Sequence, residues 1–195
     1  MRGLEQIPWL YDACCALCER AGLRRWRRWL VDGATGSILD IGCGTGRNLP
    51  LYGAGARVVG MDVSAPALAR ARRRRQDVPL VQGDAEALPF RSGAFDTVVS
   101  GLVFCSVPDA ARGLSEVRRV LRPGGALRML EHVRATGRLK ARVQDRWQPL
   151  WTRITGGCHW NRDTEAAVTR AGFDIDRTER RARGDMRRFV ARAPR

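Results

Sequence analysis

No apolar run in this sequence approaches the ~20 residues that a membrane-spanning helix needs. Residues 1–5 also lack the apolar stretch of a secretory signal peptide, and no linker, repeat or low-complexity segment divides the chain. These absences argue against membrane-spanning, secreted and multidomain proteins. At 195 residues the chain is long enough to bury one core, and we expect a single cytoplasmic domain, 1–195.

Lysine is almost absent. Lys140 is the only lysine among 35 basic residues, which outnumber the 20 acidic residues and give a formal net charge of +15. This preference for arginine is as consistent with a coding bias as with a selected surface. Arginines are concentrated in residues 24–28, 72–75 and 177–188. The runs predict either solvated helix faces or attraction to an anionic partner, such as a substrate carboxylate, a phospholipid surface or a nucleic acid.

Neither disulfide bonds nor a zinc-ligand pattern are indicated. Six cysteines in a chain without a secretory signal are expected to be reduced thiols. Cys14, Cys15 and Cys18 form one cluster, but no second ligand pair stands at the spacing of a zinc site. We therefore interpret these cysteines as small buried side chains and predict no metal site.

The most informative feature is the stretch from residue 38 to residue 46, Ile-Leu-Asp-Ile-Gly-Cys-Gly-Thr-Gly. Ser37–Ile41 is a short apolar run typical of a buried strand, and it leads directly into a glycine-rich turn that should hand over to a helix. This order is typical of the nucleotide-binding corner of a doubly wound α/β sheet. A dinucleotide fingerprint would need its third glycine where Arg47 stands, so a different nucleotide is expected. The glycines of the turn are Gly42, Gly44 and Gly46.

Acidic residues mark the ends of three predicted strands. Asp40 lies near the end of the first strand, Asp62 closes the apolar run 57–62, and Asp84 follows the run 79–82. The carboxyl ends of parallel strands share one edge of the sheet, so these three carboxyl groups should lie along one ligand. Asp62 stands about twenty residues after the glycines, which is where a ribose-binding acid is expected.

The rest of the chain alternates between helix and strand patterns, which predicts parallel pairing. A helix over residues 109–121 should stop at 122–125, because proline cannot continue it and two glycines turn the chain. The expected fold class is α/β, a doubly wound, seven-stranded, mostly parallel sheet whose last strand is antiparallel. Further strands are predicted at 94–100, 126–131, 173–178 and 186–191, and further helices at 139–151 and 164–171.

The loop Asp-x-Gly-x-Gly-x-Gly and the later Leu-Arg-Pro-Gly-Gly at 121–125 resemble elements of the class I methyltransferases, which bind S-adenosylmethionine (SAM). The resemblance implies a Rossmann-like domain with SAM as cofactor, a helical cap at 1–33, a SAM-binding core at 36–135 and a substrate side at 136–195. It also implies that Asp40 serves the ammonium and sulfonium charges of SAM, directly or through water, that Asp62 binds the ribose and that Asp84 binds the adenine amino group. The implied cofactor set is Asp40, Gly42, Gly44, Gly46, Asp62, Val63, Asp84, Ala85 and Gly101.

Later segments resemble a narrower group, the small thiol S-methyltransferases of animals and bacterial proteins related to them and to phospholipid N-methyltransferases. The segments are Leu-Val-Phe-Cys-Ser-Val-Pro-Asp at 102–109, Glu-His-Val at 131–133 and Gly-Cys-x-x-x-Arg-Asp-Thr at 157–164. His132, at the end of the fifth strand, is the best candidate base, with a loop-orienting role as its alternative, and His159 is the second candidate. The candidate substrate residues are Phe104, Cys105, Cys158 and Trp160.

Methyl transfer to a small-molecule thiol or another soft nucleophile is the first functional hypothesis. The alternatives are N-methylation of a phosphatidylethanolamine-like lipid at a membrane surface, metalloid methylation, and a catalytically silent SAM-fold protein that binds RNA or membrane. A nucleic-acid acceptor is not expected, because the sequence has neither the Asn/Asp-Pro-Pro-aromatic motif of amino methyltransferases nor the Pro-Cys nucleophile of cytosine C5 enzymes. No obligate protein partner is indicated.

Residues 4–31 mix tryptophan and leucine with arginine. In the resembled class such helices cover the cofactor pocket, which is the role we expect here. An amphipathic helix of this composition can also lie in a membrane interface, so peripheral contact with an anionic membrane is the alternative. The animal relatives carry an N-terminal hydrophobic anchor that this sequence does not show, and we therefore do not expect membrane residence.

Overall fold

The computed structural model describes residues 22–155 and 157–195. The cysteine cluster at 14–18 and most of the predicted cap lie outside the described residues. The strands form one seven-stranded sheet in the order β3-β2-β1-β4-β5-β7-β6. They are β1 (Ser37–Ile41), β2 (Arg57–Asp62), β3 (Leu80–Gln82), β4 (Phe95–Gly101), β5 (Leu121–His132), β6 (Asp174–Arg183) and β7 (Met186–Arg192). The helices are α1 (Arg24–Asp32), α2 (Ala65–Arg74), α3 (Ala110–Val120), α4 (Arg138–Thr155) and α5 (Thr164–Arg170).

The predicted fold class is confirmed. Strands β1 to β5 pair in parallel, whereas β7 runs antiparallel to both β5 and β6. Adjacent residues of the inner strands belong to opposite apolar clusters: Leu39 packs on one face of the sheet and Ile38 on the other. Val98 and Val99 alternate in the same way. Both faces are therefore covered, as a doubly wound sheet requires.

The structure adds detail to two local expectations. The helix that follows the glycine turn is a short 3-10 helix, Leu49–Leu51, and Pro50 at its start has no N–H to donate. The segment 122–125 is an irregularity within β5 rather than a separate turn. The pairing with β4 moves from Phe95 opposite Leu121 to Thr97 opposite Ala126, so the extra residues bulge out of the ladder.

Helix α1 is joined to the sheet by stacked arginine and tryptophan side chains. The guanidinium of Arg128 lies 4.5 Å from the ring centroid of Trp29, and that of Arg188 lies 4.6 Å from the same ring. Arg188 also lies 5.4 Å from the ring of Trp26. Nε of Arg128 donates to the carbonyl of Leu30 at 2.8 Å. Trp26 and Trp29 thus pack against arginines of β5 and β7.

No helix within the described ranges is both long enough and apolar enough to cross a membrane.

Candidate functional site

A cavity of about 960 Å³ opens at the carboxyl ends of the parallel strands. The loops that follow β1, β2, β3 and β4 all contribute to its wall, and so do His132 at the end of β5 and Cys158 beyond α4. This edge of an open α/β sheet is where ligands bind. The predicted residues that line the cavity are Gly42, Gly44, Asp62, Val63, Asp84, Ala85, Cys105, His132 and Cys158.

The three glycines of the turn all have positive φ angles, 60° at Gly42, 55° at Gly44 and 80° at Gly46, a region that side chains other than glycine rarely adopt. Their surroundings differ. A Cβ on Gly44 would meet no atom closer than 4.0 Å, whereas one on Gly46 would lie 2.8 Å from Cα of Ala71 in α2. Gly44 therefore faces the open cavity, and Gly46 permits close packing of the turn on α2.

The Asp62 carboxylate holds the cavity wall together. Its Oδ2 accepts from the N–H of Gly44 and its Oδ1 accepts from the N–H of Ser64, each at 2.8 Å. Burial raises the pKa of this carboxyl, while the bonds from Ser64 and Gly44 act in the opposite direction. Each carboxylate oxygen can accept more than one hydrogen bond, so Asp62 can still bind ligand hydroxyls from the cavity.

The loops after β2 and β3 form the neighbouring wall. Val63 is 69% exposed, an unusual value for a large apolar residue that lines a cavity. Oδ1 of Asp84 accepts from the N–H of Glu86 at 2.9 Å, which leaves its other oxygen for a ligand. Ala85 lies beside Asp84 on the same wall. An apolar surface next to a carboxylate can accommodate a heterocycle that carries an amino group.

Asp40 and Gly101 are placed differently from the expectation. Asp40 is fully buried and outside the cavity lining. Its carboxyl accepts from Nδ2 of Asn48 at 3.3 Å and from the hydroxyl of Tyr52 at 3.1 Å, and burial raises its pKa to about 7. Gly101 is also outside the lining, and a Cβ there would lie 3.2 Å from Leu30. Asp40 thus supports the chain after the turn through Asn48 and Tyr52, and Gly101 allows α1 to pack closely on the end of β4.

Glu131 organises the loop after β4. It is fully buried, and its Oε1 accepts from the hydroxyl of Ser100 at 2.9 Å and from the N–H groups of Val103 and Phe104 at 3.0 and 3.1 Å. Burial raises the pKa of Glu131 to about 7. At the start of this loop Leu102 has a φ of 65°, which is rare for a side-chain-bearing residue and often accompanies a functional loop.

Cys105, His132 and Cys158 meet at the other end of the cavity. Their Sγ and ring nitrogen atoms all lie within 4.8 Å of one another. The pKa of Cys158 is lowered to about 4. A hydrogen bond with Cys105 contributes most, and one with His132 acts in the same direction, whereas burial acts in the opposite direction. Burial lowers the pKa of His132, but Cys158 more than offsets this and the net shift is upward. The pKa of Cys105 is raised, first by its bond to Cys158 and then by burial.

The loop that carries Cys158 is attached to the loop that carries Cys105. The N–H of His159 donates to the carbonyl of Cys105 at 2.6 Å, and Nη1 of Arg162 donates to the carbonyl of Val107 at 2.6 Å. On the α4 side, Nε2 of Gln148 donates to the carbonyl of Cys158 at 3.0 Å. Hydrogen bonds to main-chain carbonyls of both loops therefore fix the positions of the two cysteines.

Three other predicted site residues do not line the cavity. Phe104 is fully buried in the core, where its ring lies against α3. Trp160 stacks on Trp151 with ring centroids 4.6 Å apart, and Nδ1 of His159 lies 3.4 Å from Nε2 of Gln148. These positions favour supporting roles over direct contact with a substrate.

Several residues of the site were not anticipated from the sequence. Asn48 and Tyr52 bind the buried Asp40, Trp151 lines the cavity together with Cys158, and Gln148 holds the Cys158 loop. Polar and aromatic side chains outside recognisable motifs give no local signal. A buried strand that carries an aspartate does signal that polar partners must exist nearby, but not which residues they are.

Comparison with known proteins agrees with this geometry. Residues 39–129 match the model of a family described as a methyltransferase domain. The human thiol S-methyltransferase TMT1B is 35% identical over 160 residues, which cover 77% of this chain and 66% of that protein. A demethylmenaquinone methyltransferase of Renibacterium salmoninarum is 38% identical over 127 residues, covering 62% of this chain and 53% of the relative. A phosphatidylethanolamine N-methyltransferase of Cereibacter sphaeroides is 39% identical over 108 residues, covering 52% and 53%.

The chain spans between about half and two thirds of the length of these relatives. Among solved structures, a putative methyltransferase of Haloferax volcanii, solved in complex with the Trm112 activator, aligns over 95% of this chain and 96% of its own with a TM-score of 0.71 and 20% identity. That likeness shows the fold. Fold, glycine turn and sequence relatives agree, and residues 39–129 form a class I, SAM-dependent methyltransferase domain.

Proposed function

We propose that this protein transfers a methyl group from SAM to a small, partly apolar thiol. The relative named thiol S-methyltransferase supports the acceptor class. The observation that carries the proposal is the composition of the cavity. Carboxylates occur in its described lining only at Asp62 and Asp84, whereas the opposite end combines two thiols and an imidazole with large apolar side chains, beside the hydroxyls of Ser106 and Thr155 and the cationic Arg183.

The residues at the glycine turn fit the cofactor. Gly44 leaves the cavity open where a methionine moiety would lie, Asp62 has oxygen lone pairs for ribose hydroxyls, and the exposed Val63 next to Asp84 offers an apolar surface and an acceptor for adenine. SAM supplies an electrophilic methyl group on a sulfonium. The protein must then position the acceptor in line and keep water away from it.

The acceptor end suits a soft, apolar nucleophile. Trp26, Trp151 and Ile154 line it together with His132 and the two cysteines. An ammonium headgroup would find no carboxylate among the described residues at this end, whereas an alkyl or aryl thiol would find apolar contact. Thiolates are intrinsically strong nucleophiles, and His132 is the imidazole placed to contact the acceptor sulfur. His159 lies outside the lining and does not need to take part.

The test is an acceptor screen with radiolabelled SAM. Small thiols, phenols and quinols, phosphatidylethanolamine vesicles and RNA are offered in parallel, with the Asp62→Ala variant as the cofactor-site control. Label transfer to thiols that is lost in the variant is the expected result. Transfer to quinols, lipid or RNA without transfer to any thiol would overturn the proposal.

A second candidate, N-methylation of a lipid headgroup, is favoured by one feature of α4. Its large apolar residues Leu139, Val143, Trp147, Leu150 and Ile154 are 43–77% exposed, and their spacing places them on one face of the helix. Exposed basic residues stand between them: Lys140, Arg142, Arg146 and Arg153. A helix of this kind can lie on an anionic membrane surface, and the lipid-methylating relative named above supports the same acceptor.

A further inference from the structure

The cluster of Cys105, His132 and Cys158 has the composition of a metal site. Two sulfur atoms and one ring nitrogen lie within 4.8 Å of one another. Zinc binds sulfur at about 2.3 Å and nitrogen at about 2.0 Å in a tetrahedral arrangement, so neighbouring ligand atoms lie about 3.5–3.8 Å apart. The three side chains therefore need to approach by roughly 1 Å to enclose an ion.

We propose that Cys105, His132 and Cys158 bind a zinc ion whose fourth coordination position takes the sulfur of the acceptor thiol. The inference rests on the proposed thiol S-methyltransferase function and assigns the groups that hold its acceptor. Two thiolates and an imidazole form a donor set that zinc prefers. Zinc sites that react, unlike structural ones, have three protein ligands and one open position.

The scaffold holds all three ligands before any ion arrives. His132 ends β5 and pairs with Met186 of β7. The carbonyl of Cys105 accepts from the N–H of His159, and the N–H of Cys158 donates to Oγ1 of Thr155 at 3.2 Å. Ligands that come from a strand end and two mutually bonded loops lose little conformational freedom on metal binding.

The open position of such an ion would face the reaction space. Cys105, His132 and Cys158 line the same cavity as Gly44 and Asp62, so a fourth ligand can enter from the side where the cofactor binds. A thiol that coordinates there releases its proton to water and stays bound as a thiolate. The two cysteines likewise release their protons when the ion binds, and His132 coordinates through an unprotonated ring nitrogen.

The proposal is tested by cobalt substitution. The full chain is freed of metal by a chelator under reducing, anaerobic conditions and titrated with Co²⁺, which reports tetrahedral geometry by intense visible bands and thiolate ligands by near-ultraviolet charge transfer. Cys14, Cys15 and Cys18 are replaced by serine in every sample, so that this other cysteine cluster cannot contribute. One equivalent of tetrahedral, thiolate-bound cobalt that zinc displaces is the expected result. The absence of a tetrahedral spectrum would overturn the proposal.

Variants assign the ligands. Cys105→Ser and Cys158→Ser should each remove about half of the charge-transfer intensity, and His132→Asn should weaken cobalt binding at least about tenfold, which is the scale of losses seen even for groups that only support metal ligands. Cys43→Ser, which alters a buried thiol in the glycine turn, is the matched control and should leave the spectrum unchanged. Circular dichroism shows that each variant is folded. Charge-transfer intensity that stays at the wild-type level in folded Cys158→Ser would contradict the assignment.

Acceptor binding is read from the same spectrum. Adding a small thiol should shift the visible bands, because a water ligand is exchanged for sulfur, whereas the matching alcohol should not. A spectrum that the thiol leaves unchanged would overturn the assignment of the fourth position. Methylation assays then separate this inference from the proposed function. If metal-free protein methylates thiols as fast as the zinc-loaded protein, the zinc site is wrong while the function stands; if cobalt binds through the trio but no thiol is methylated, the function is wrong while the site stands.

Discussion

The hydroxyl of Tyr52 donates a hydrogen bond of 3.1 Å to Oδ2 of Asp40 beneath the glycine turn. Asn48 donates to the other oxygen of the same carboxyl group and itself accepts from Nη1 of Arg27 at 3.0 Å. A fully buried carboxyl group that receives two hydrogen bonds still has its pKa raised to about 7, because the loss of solvation exceeds what the bonds restore. The turn thus rests on a group whose charge changes near neutral pH.

Asp40→Asn is expected to stabilise the cofactor-free protein in alkaline solution. The pKa of Asp40 in the folded protein lies above its ordinary value of 3.8. Its favourable contribution to the free energy of unfolding is therefore complete below pH 4 and is lost as the pH rises through 7. The stability of the variant relative to the wild type should therefore rise by up to about 4 kcal/mol between pH 4 and pH 8. Urea unfolding at both pH values measures the difference. Asp77→Asn, at an exposed carboxyl, is the control, and an Asp40→Asn gain that is equal at both pH values would contradict the mechanism.

Gly44 and Gly46 should separate cofactor binding from stability. Both have positive φ angles, so alanine costs about 1–2 kcal/mol of backbone strain at either position. At Gly46 the new Cβ also meets Cα of Ala71 at 2.8 Å, whereas at Gly44 it enters the cavity. Gly44→Ala, and more severely Gly44→Val, should lose SAM binding while the protein stays folded, and Gly46→Ala should unfold at a clearly lower temperature. Calorimetric SAM titrations and thermal melts of the three variants and the wild type measure the two effects. Unchanged SAM affinity in Gly44→Val would show that this glycine is only structural.

Asp62→Ala is expected to weaken SAM binding about tenfold or more, because hydrogen bonds to a charged carboxylate contribute about 1.5–3 kcal/mol. The variant also removes the bonds that Asp62 makes to Gly44 and Ser64, so a loosened turn would add to the loss. Asp62→Asn keeps one acceptor oxygen and should retain part of the affinity. Isothermal titration of wild type and both variants gives the values, and equal affinities would remove Asp62 from the site.

Local sequence patterns predict much of the candidate site. The positive φ angles at Gly42, Gly44 and Gly46 are a property of the motif itself. Asp62 and Asp84 line the cavity, as their positions at strand ends predict, because every parallel strand brings its carboxyl end to the same edge of the sheet. Phe104 shows where this reasoning ends. It stands beside Cys105 in a segment predicted to face the substrate, but its ring fills the core while Cys105 lines the cavity. The direction of a side chain in an irregular loop depends on tertiary packing.

Long-range contacts account for the remaining differences. The resemblance predicts Asp40 near the cofactor charges, whereas the structure buries it against Asn48 and Tyr52, which no motif marks. The meeting of Cys105 and Cys158 depends on the hydrogen bond between His159 and the carbonyl of Cys105, which joins two loops far apart in the sequence. Such pairings follow from the way α4 returns the chain to the sheet edge, and periodicity within one segment contains no information about them.

Salt dependence should distinguish the thiol from the lipid and RNA alternatives. A neutral thiol gains nothing from long-range fields, so its methylation should change little between low and moderate salt even though the chain carries a net charge of +15. Binding to anionic vesicles would instead be strong at low salt and largely lost by about 0.5 M, with lipid methylation falling in parallel. RNA binding would show the same loss without any methylated lipid.

The exposed face of α4 supplies the matched variant for this titration. Trp147→Ser and Leu150→Ser remove apolar area from that face, and neither residue lines the cavity. Under the thiol hypothesis both variants methylate a small thiol at the wild-type rate at every salt concentration, because the acceptor reaches the cavity from solution. Under the lipid hypothesis they lose vesicle binding and lipid methylation together. Vesicle-dependent methylation that these variants abolish, with no thiol product at any salt, would replace the thiol acceptor with a lipid headgroup.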